Sequence, residues 1–185
     1  MIPAHYLVID IEATCCDQNS IPKHQFETIE IGAVMVNATA LETVGEHQTF
    51  IRPVIRPKLT AFCTKLTSIG QNDVETAPLF ADAIATLRRW AFSFDEFLFC
   101  SWGDYDRTQL GHECERNHVS YPFSRGHLNL KLAFREQQKL PRKLGMEEAL
   151  RVAGVDLVGV HHRGIDDARN IARLLPWALG RKNIA

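Results

Sequence analysis

Acidic residues stand in this chain at places where an apolar core should run. In "YLVIDIEATC", Tyr6 to Cys15, a stretch suited to a buried strand carries Asp10 and Glu12 two positions apart, and alternation along a strand points both to one face. Asp104 and Asp106 directly follow the apolar run "FLFCSW", and Asp166 and Asp167 follow "HHRGI" where a helix should begin. Any one pair has an ordinary reading, solvated or bonded to backbone amides. Gathered together, such carboxylates repel one another and raise each other's pKa unless positive charge sits among them. A hard divalent cation meets that need, and oxygen-only ligation suits Mg²⁺ or Mn²⁺ where Zn²⁺ prefers His and Cys. Two such ions about 3.5–4 Å apart form the clamp used for in-line phosphoryl displacement.

The elements that would bring these acids together are legible in coarse outline. After the first strand, "CCDQNSIPKHQF" has loop composition and leads into a β-branched run, Glu27 to Asn37. A second run, Leu41 to Ile51, follows at hairpin spacing. "RPVIRP" should be irregular, and Leu59 to Ile69 suggests a short helix and a turn. Apolar residues at three and four spacing predict a helix from Asp73 to Phe92, with Pro78 near its start. Phe97 to Trp102 reads as a buried strand, and the segment after it as a loop turning into a helix. Further helices are expected around Leu130 to Gln138, Gly145 to Gly154 and Ile165 to Leu179. The sum is one α/β domain over residues 1–185, antiparallel strands first, then a crossover strand with helices on the faces.

Composition limits the partners. With 21 basic and 22 acidic residues among 185, no global positive field advertises a polyanion. A nucleic-acid role would need metal ions or a local basic rim such as Lys139 to Lys143. The five cysteines are odd in number and lack CxxC spacing, which argues against a disulfide framework or a zinc ribbon. No stretch has the length of a membrane span. A cytoplasmic protein in a reducing environment is the expectation.

Three motifs in order, "IDIEATC", "WGDYDRTQL" and "HHRGIDDARNIARLL", resemble those of the DEDDh 3'-5' exonuclease superfamily. "EATC", "IEIGAV", "LTSIGQNDV", "SWGDYD" and "GIDDARNIAR" are most similar to the branch of the histone-mRNA 3'-end exonuclease, the enhancer-of-RNAi exonucleases and bacterial KapD-like relatives. The resemblance spans residues from about 6 to 177. It implies an RNase H-like (DnaQ-like) fold, a mixed sheet whose first three strands are antiparallel, flanked by helices. The implied activity is hydrolysis of single-stranded RNA or DNA from the 3' end to nucleoside 5'-monophosphates, with RNA favoured, using two Mg²⁺ or Mn²⁺ ions.

By that resemblance Asp10 bridges the ions, Glu12 and Asp167 complete one shell, and Asp106 holds the second ion. Asp104 competes with Asp106 and reads as a helix N-cap. His162, five residues before Asp167, matches the general base; His161 and Asp166 share the same spacing, so both registers stand. An imidazole with an ordinary pKa near ~6.5 can accept a proton at neutral pH.

Substrate contacts are expected from the backbone amides of Ala13 and Thr14, from Leu66, Thr67 and Ile69 as a wedge for the last base, and from Trp102 as a stacking face. Trp102 also reads as core, and Thr67 as an N-cap. Arg163 reads as a surface charge or a phosphate contact. Within the class the rival is a DNA exonuclease of repair or proofreading type; outside it, a nucleic-acid-binding relative without catalysis. A homodimer fits the resemblance, though no apolar stripe marks its contact surface.

Overall fold

The structure, a computed structural model, describes residues 3–17, 21–123 and 126–184. The chain runs through β1 (His5–Ala13), a single 3-10 turn at Lys23–Gln25, β2 (Thr28–Asn37) and β3 (Thr43–Phe50). Helices α1 (Ala61–Thr67), α2 (Gln71–Glu75) and α3 (Phe80–Ala91) lead to β4 (Phe97–Ser101). Then come α4 (Tyr105–Arg116), β5 (His127–Asn129), α5 (Leu130–Gln137), α6 (Met146–Val152), α7 (Gly164–Arg173) and α8 (Leu175–Ala178). Residues 18–20 of the loop expected after the first strand lie outside the described residues.

The five strands lie in the order β3-β2-β1-β4-β5. β1 pairs antiparallel with β2, and β2 with β3; β4 runs parallel to β1, and β5 to β4. Central β1 is covered on both faces, which is why it reads as an unbroken apolar run. Its odd residues Leu7, Ile9 and Ile11 pack with α3 and α4 residues such as Leu87 and Leu110. Its even residues Tyr6 and Val8 pack with α5 to α8, among them Phe134, Ile165 and Ile171. Asp10 and Glu12 continue the even face past the end of that second core.

Prolines account for two departures from the expected helices. The Asp73 to Phe92 helix is interrupted, α2 ending at Glu75 and α3 starting at Phe80, because Pro78 lacks an N–H and disfavours helix at Ala77. The final helix likewise breaks at Leu174, with Pro176 carried in the first turn of the separate α8. β5, only three residues long, left no periodic signal. No helix among the described residues is long and apolar enough to cross a membrane.

α7 sits on the sheet at a glycine-to-glycine contact. Gly32, paired with Asp10 across the β1–β2 ladder, lies so close to Gly164 that a methyl at Gly32 would overlap its carbonyl group. Both partners are backbone, so no rotamer change relieves the overlap. Gly32→Ala is therefore expected to cost at least about 2 kcal/mol, seen as a melting temperature lower by roughly 4–8 °C. A variant melting with the parent would show that α7 is not seated there.

Candidate active site

Each acid is delivered by a different element to the same end of β1. Asp106 stands in the first turn of α4 and is buried; its Oδ1 accepts the Ile11 N–H at 3.1 Å, between Asp10 and Glu12 in sequence. α4 is in turn fastened to the start of β2. Buried Glu113 accepts from Thr28 through its backbone N–H and its hydroxyl, from Gln109 Nε2 at 3.0 Å and from Arg116 at 2.9 Å. Asp167 is in the first turn of α7 and buried. Carboxylate oxygens of Asp10, Glu12 and Asp167 all lie within 4.8 Å of one another. Asp104 faces outward at the N-cap of α4, where its side chain binds Asn129 Nδ2 at 2.8 Å and meets Arg107, without capping the helix.

Burial and mutual repulsion push this cluster toward protonation. Asp10 is raised well above the ordinary carboxylate range, by burial first and then by Asp106, Glu12, Asp167 and Glu30. Burial, with Asp167, Glu30 and Asp106, takes Glu12 up to about 9. Burial lifts Asp106 to about 6 against the pull of backbone amides and the Ser101 hydroxyl. Asp167 is raised by burial, offset by His161 and His162. A hard divalent cation among these oxygens would supply the missing positive charge, so the donor set fits Mg²⁺ or Mn²⁺.

Two histidines meet Asp167 in different ways. The His161 ring places Nδ1 3.0 and 3.1 Å from the two carboxylate oxygens. His162 donates its backbone N–H to Oδ2 at 3.0 Å, and its ring stacks on His161 at 4.0 Å between centroids. Burial, and the charge of His161, hold the His162 ring below the ordinary histidine range, so it is neutral and able to accept a proton near pH 7.

The family model described as exonuclease, RNase_T, matches residues 7–175, the span that contains these acids and histidines. The chain belongs to this exonuclease family. Among its relatives, 3'-5' exoribonuclease 1 of Homo sapiens is 30% identical over 175 residues, covering 90% of this chain and 50% of the relative. The 3'-5' exonuclease Snipper of Drosophila melanogaster is 29% identical over 196 residues, covering 95% of this chain and 69% of the relative.

 The crystallographic nuclease domain of 3'hExo, described as a DEDDh family member bound to rAMP, superposes with a TM-score of 0.89 at 28% identity, covering 97% of this chain and 93% of that one. The chain spans about half the length of the human relative. Its fold is the RNase H-like one of the DEDDh exonucleases.

Other residues marked by the sequence are placed unevenly in this exonuclease-family chain. The Thr14 N–H is already donated to the Glu27 carbonyl at 2.8 Å, and Ala13 and Thr14 are both buried. Leu66 is exposed on α1, whereas Thr67 and Ile69 are enclosed. Thr67 ends α1, its hydroxyl bonded to the Cys63 carbonyl; the N-cap is Thr60, which accepts from the Cys63 N–H. Trp102 donates its indole N–H to Leu144 at 3.2 Å and meets Phe134 edge-on, packed against the core. All five cysteines are free thiols.

Two further residues border the cluster. Tyr105 is half-exposed and directly precedes Asp106 at the start of α4, where desolvation and the charges of Asp106 and Glu12 raise the pKa of its hydroxyl. Glu30 is fully buried and pairs with Glu12 in the β1–β2 register. An acid inside the otherwise apolar "IEIGAV" strand was the available clue.

The raised carboxyls bind more protons folded than unfolded. Without a cation, stability is therefore greatest at low pH and falls as pH climbs from 4.5 toward about 9, the span over which Glu12 is displaced. Chelated protein is expected to melt several degrees lower at pH 8 than at pH 5.5, with roughly 2–4 °C per kcal/mol. Added Mn²⁺ should raise the melting temperature more at pH 8. A level or rising curve in chelator would remove the case for a repelling cluster.

Proposed function

We propose that the chain is a single metal-dependent exonuclease domain that shortens single-stranded RNA from its 3' end and releases nucleoside 5'-monophosphates. The observation that carries this reading is the convergence of Asp10, Glu12 and Asp167 oxygens within 4.8 Å, with Asp106 bonded to the strand between the first two. Asp10, Glu12 and Asp167 would hold one Mg²⁺ or Mn²⁺ ion, and Asp10 with Asp106 a second. When bound, the ions supply charge neutralisation at the phosphate and lower the pKa of the attacking water.

The protein's own groups supply the rest. His162 takes the proton from the water that attacks the terminal phosphodiester, contributing ~10²–10⁴-fold. The half-exposed Tyr105 ring offers the last base a face, worth ~1–3 kcal/mol by stacking and indifferent to base identity. The loop holding Lys143 is fastened to Trp102 through Leu144, close to where β4 ends, and offers the Lys143 ammonium to the backbone upstream, while Arg142 is paired with Glu148. RNA is favoured because relatives that match nearly the whole chain are named exoribonucleases. Five free thiols suit a reducing compartment, and we place the protein in the cytoplasm.

The test uses 5'-labelled single-stranded RNA and its DNA counterpart with Mg²⁺, Mn²⁺ or chelator. Stepwise loss from the 3' end that requires metal supports the reading. Faster cleavage of the DNA would make the protein a DNA exonuclease instead. Metal and strand binding without any cleavage would leave a binding module.

A further inference from the structure

Arg163 follows the two histidines, yet its guanidinium turns into the protein. Its Nε lies 3.1 Å from Glu30 Oε2, and the group stands 5.3 Å over the Phe50 ring. The same Glu30 oxygen accepts the Gly164 N–H at 3.0 Å, while Oε1 accepts from Gln48 Nε2 at 2.6 Å. A buried carboxylate left without its cation is costly, so this pair is held together strongly. Between it and Asp167 sits His162, whose backbone has φ +65, a left-handed conformation that non-glycine residues adopt at a cost of about 1–2 kcal/mol. Such a conformation persists only where neighbours fix it. On one side the fixing contact is Asp167 on the His162 N–H; on the other it is Glu30 on Arg163 and Gly164.

We infer that Glu30 and Arg163 form a positioning pair that holds His162 in its left-handed backbone and so aims its ring at the cleft. The inference rests on the exonuclease reading for its kinetic consequence but not for its structural one. Arg163 is thereby removed from the groups free to meet phosphate. Neither residue touches substrate.

The experiment compares Arg163→Ala, Glu30→Gln and the double variant with the parent, by kinetics and by hydrogen exchange of the segment 160–166 in metal-free protein. Arg163→Ala is expected to lower kcat on the order of 10²-fold, as a misplaced catalytic group does, with KM and Mn²⁺ binding retained. Exchange across 160–166 should quicken in each variant. The double variant should lose no more than the worse single one, because both break one device. Millimolar guanidinium should restore part of the Arg163→Ala rate. Unchanged exchange overturns the inference even if the parent proves inactive, which would itself sink only the exonuclease reading. A raised KM with kcat kept would show Arg163 binding substrate, again overturning it. If Arg163→Ala fails to fold, Arg163→Lys serves: it keeps the charge without the planar fork, and a rate equal to the parent's would count against the pair.

Discussion

Asp10→Asn is expected to reduce nuclease activity by at least roughly 10³-fold, the loss of about 4 kcal/mol of transition-state stabilisation, while making the metal-free protein harder to melt. Both halves come from one position. Asp10 is the acid on which burial and four other carboxylates act together. An amide of nearly the same shape keeps the packing but removes a repelling charge. Chelated variant and parent would be melted side by side at pH 8, and both assayed with Mn²⁺. Activity within tenfold of the parent would show that Asp10 is not a ligand the reaction needs. A lower melting temperature would show that its charge is compensated in a way the cluster does not reveal.

His162→Ala is expected to cost ~10²–10⁴-fold in kcat, with KM and Mn²⁺ binding little changed. His161→Ala is the necessary companion, because the His161 ring is the one in contact with Asp167. If His162 is the base, losing His161 disturbs only the stacked neighbour and the Asp167 contact, and the smaller loss should be His161's. The opposite order of losses would assign the proton to His161. Single-turnover rates with saturating oligonucleotide separate the two cleanly from any effect on binding.

Asp10 and Glu12 were legible because alternation on a strand is a local rule, and both stand on one face as it requires. The prolines that break two helices act as locally, overriding the apolar periodicity on either side. What could not be read depended on contacts far apart in sequence. Glu30 acquires its meaning from pairing with Glu12 and from Arg163, 133 residues away. Thr14 seemed a free donor until the Glu27 carbonyl was found opposite it. Spacing treats His161 and His162 alike and does not encode that the His161 ring meets Asp167 while His162 meets it through its backbone N–H.

The order of these contributions along the chain has a consequence during synthesis. The first acids emerge with Asp10 and Glu12, while Asp167, and the helix that covers the face they share, follow about 155 residues later. At typical elongation rates of ~5–20 residues per second, roughly 8–30 s separate them. Until Asp106 emerges the nascent chain holds two of the four proposed ligands, and until His162 emerges it lacks the proposed proton acceptor. Under the proposed function, cleavage is expected only after the segment carrying His162 and Asp167 has left the ribosome.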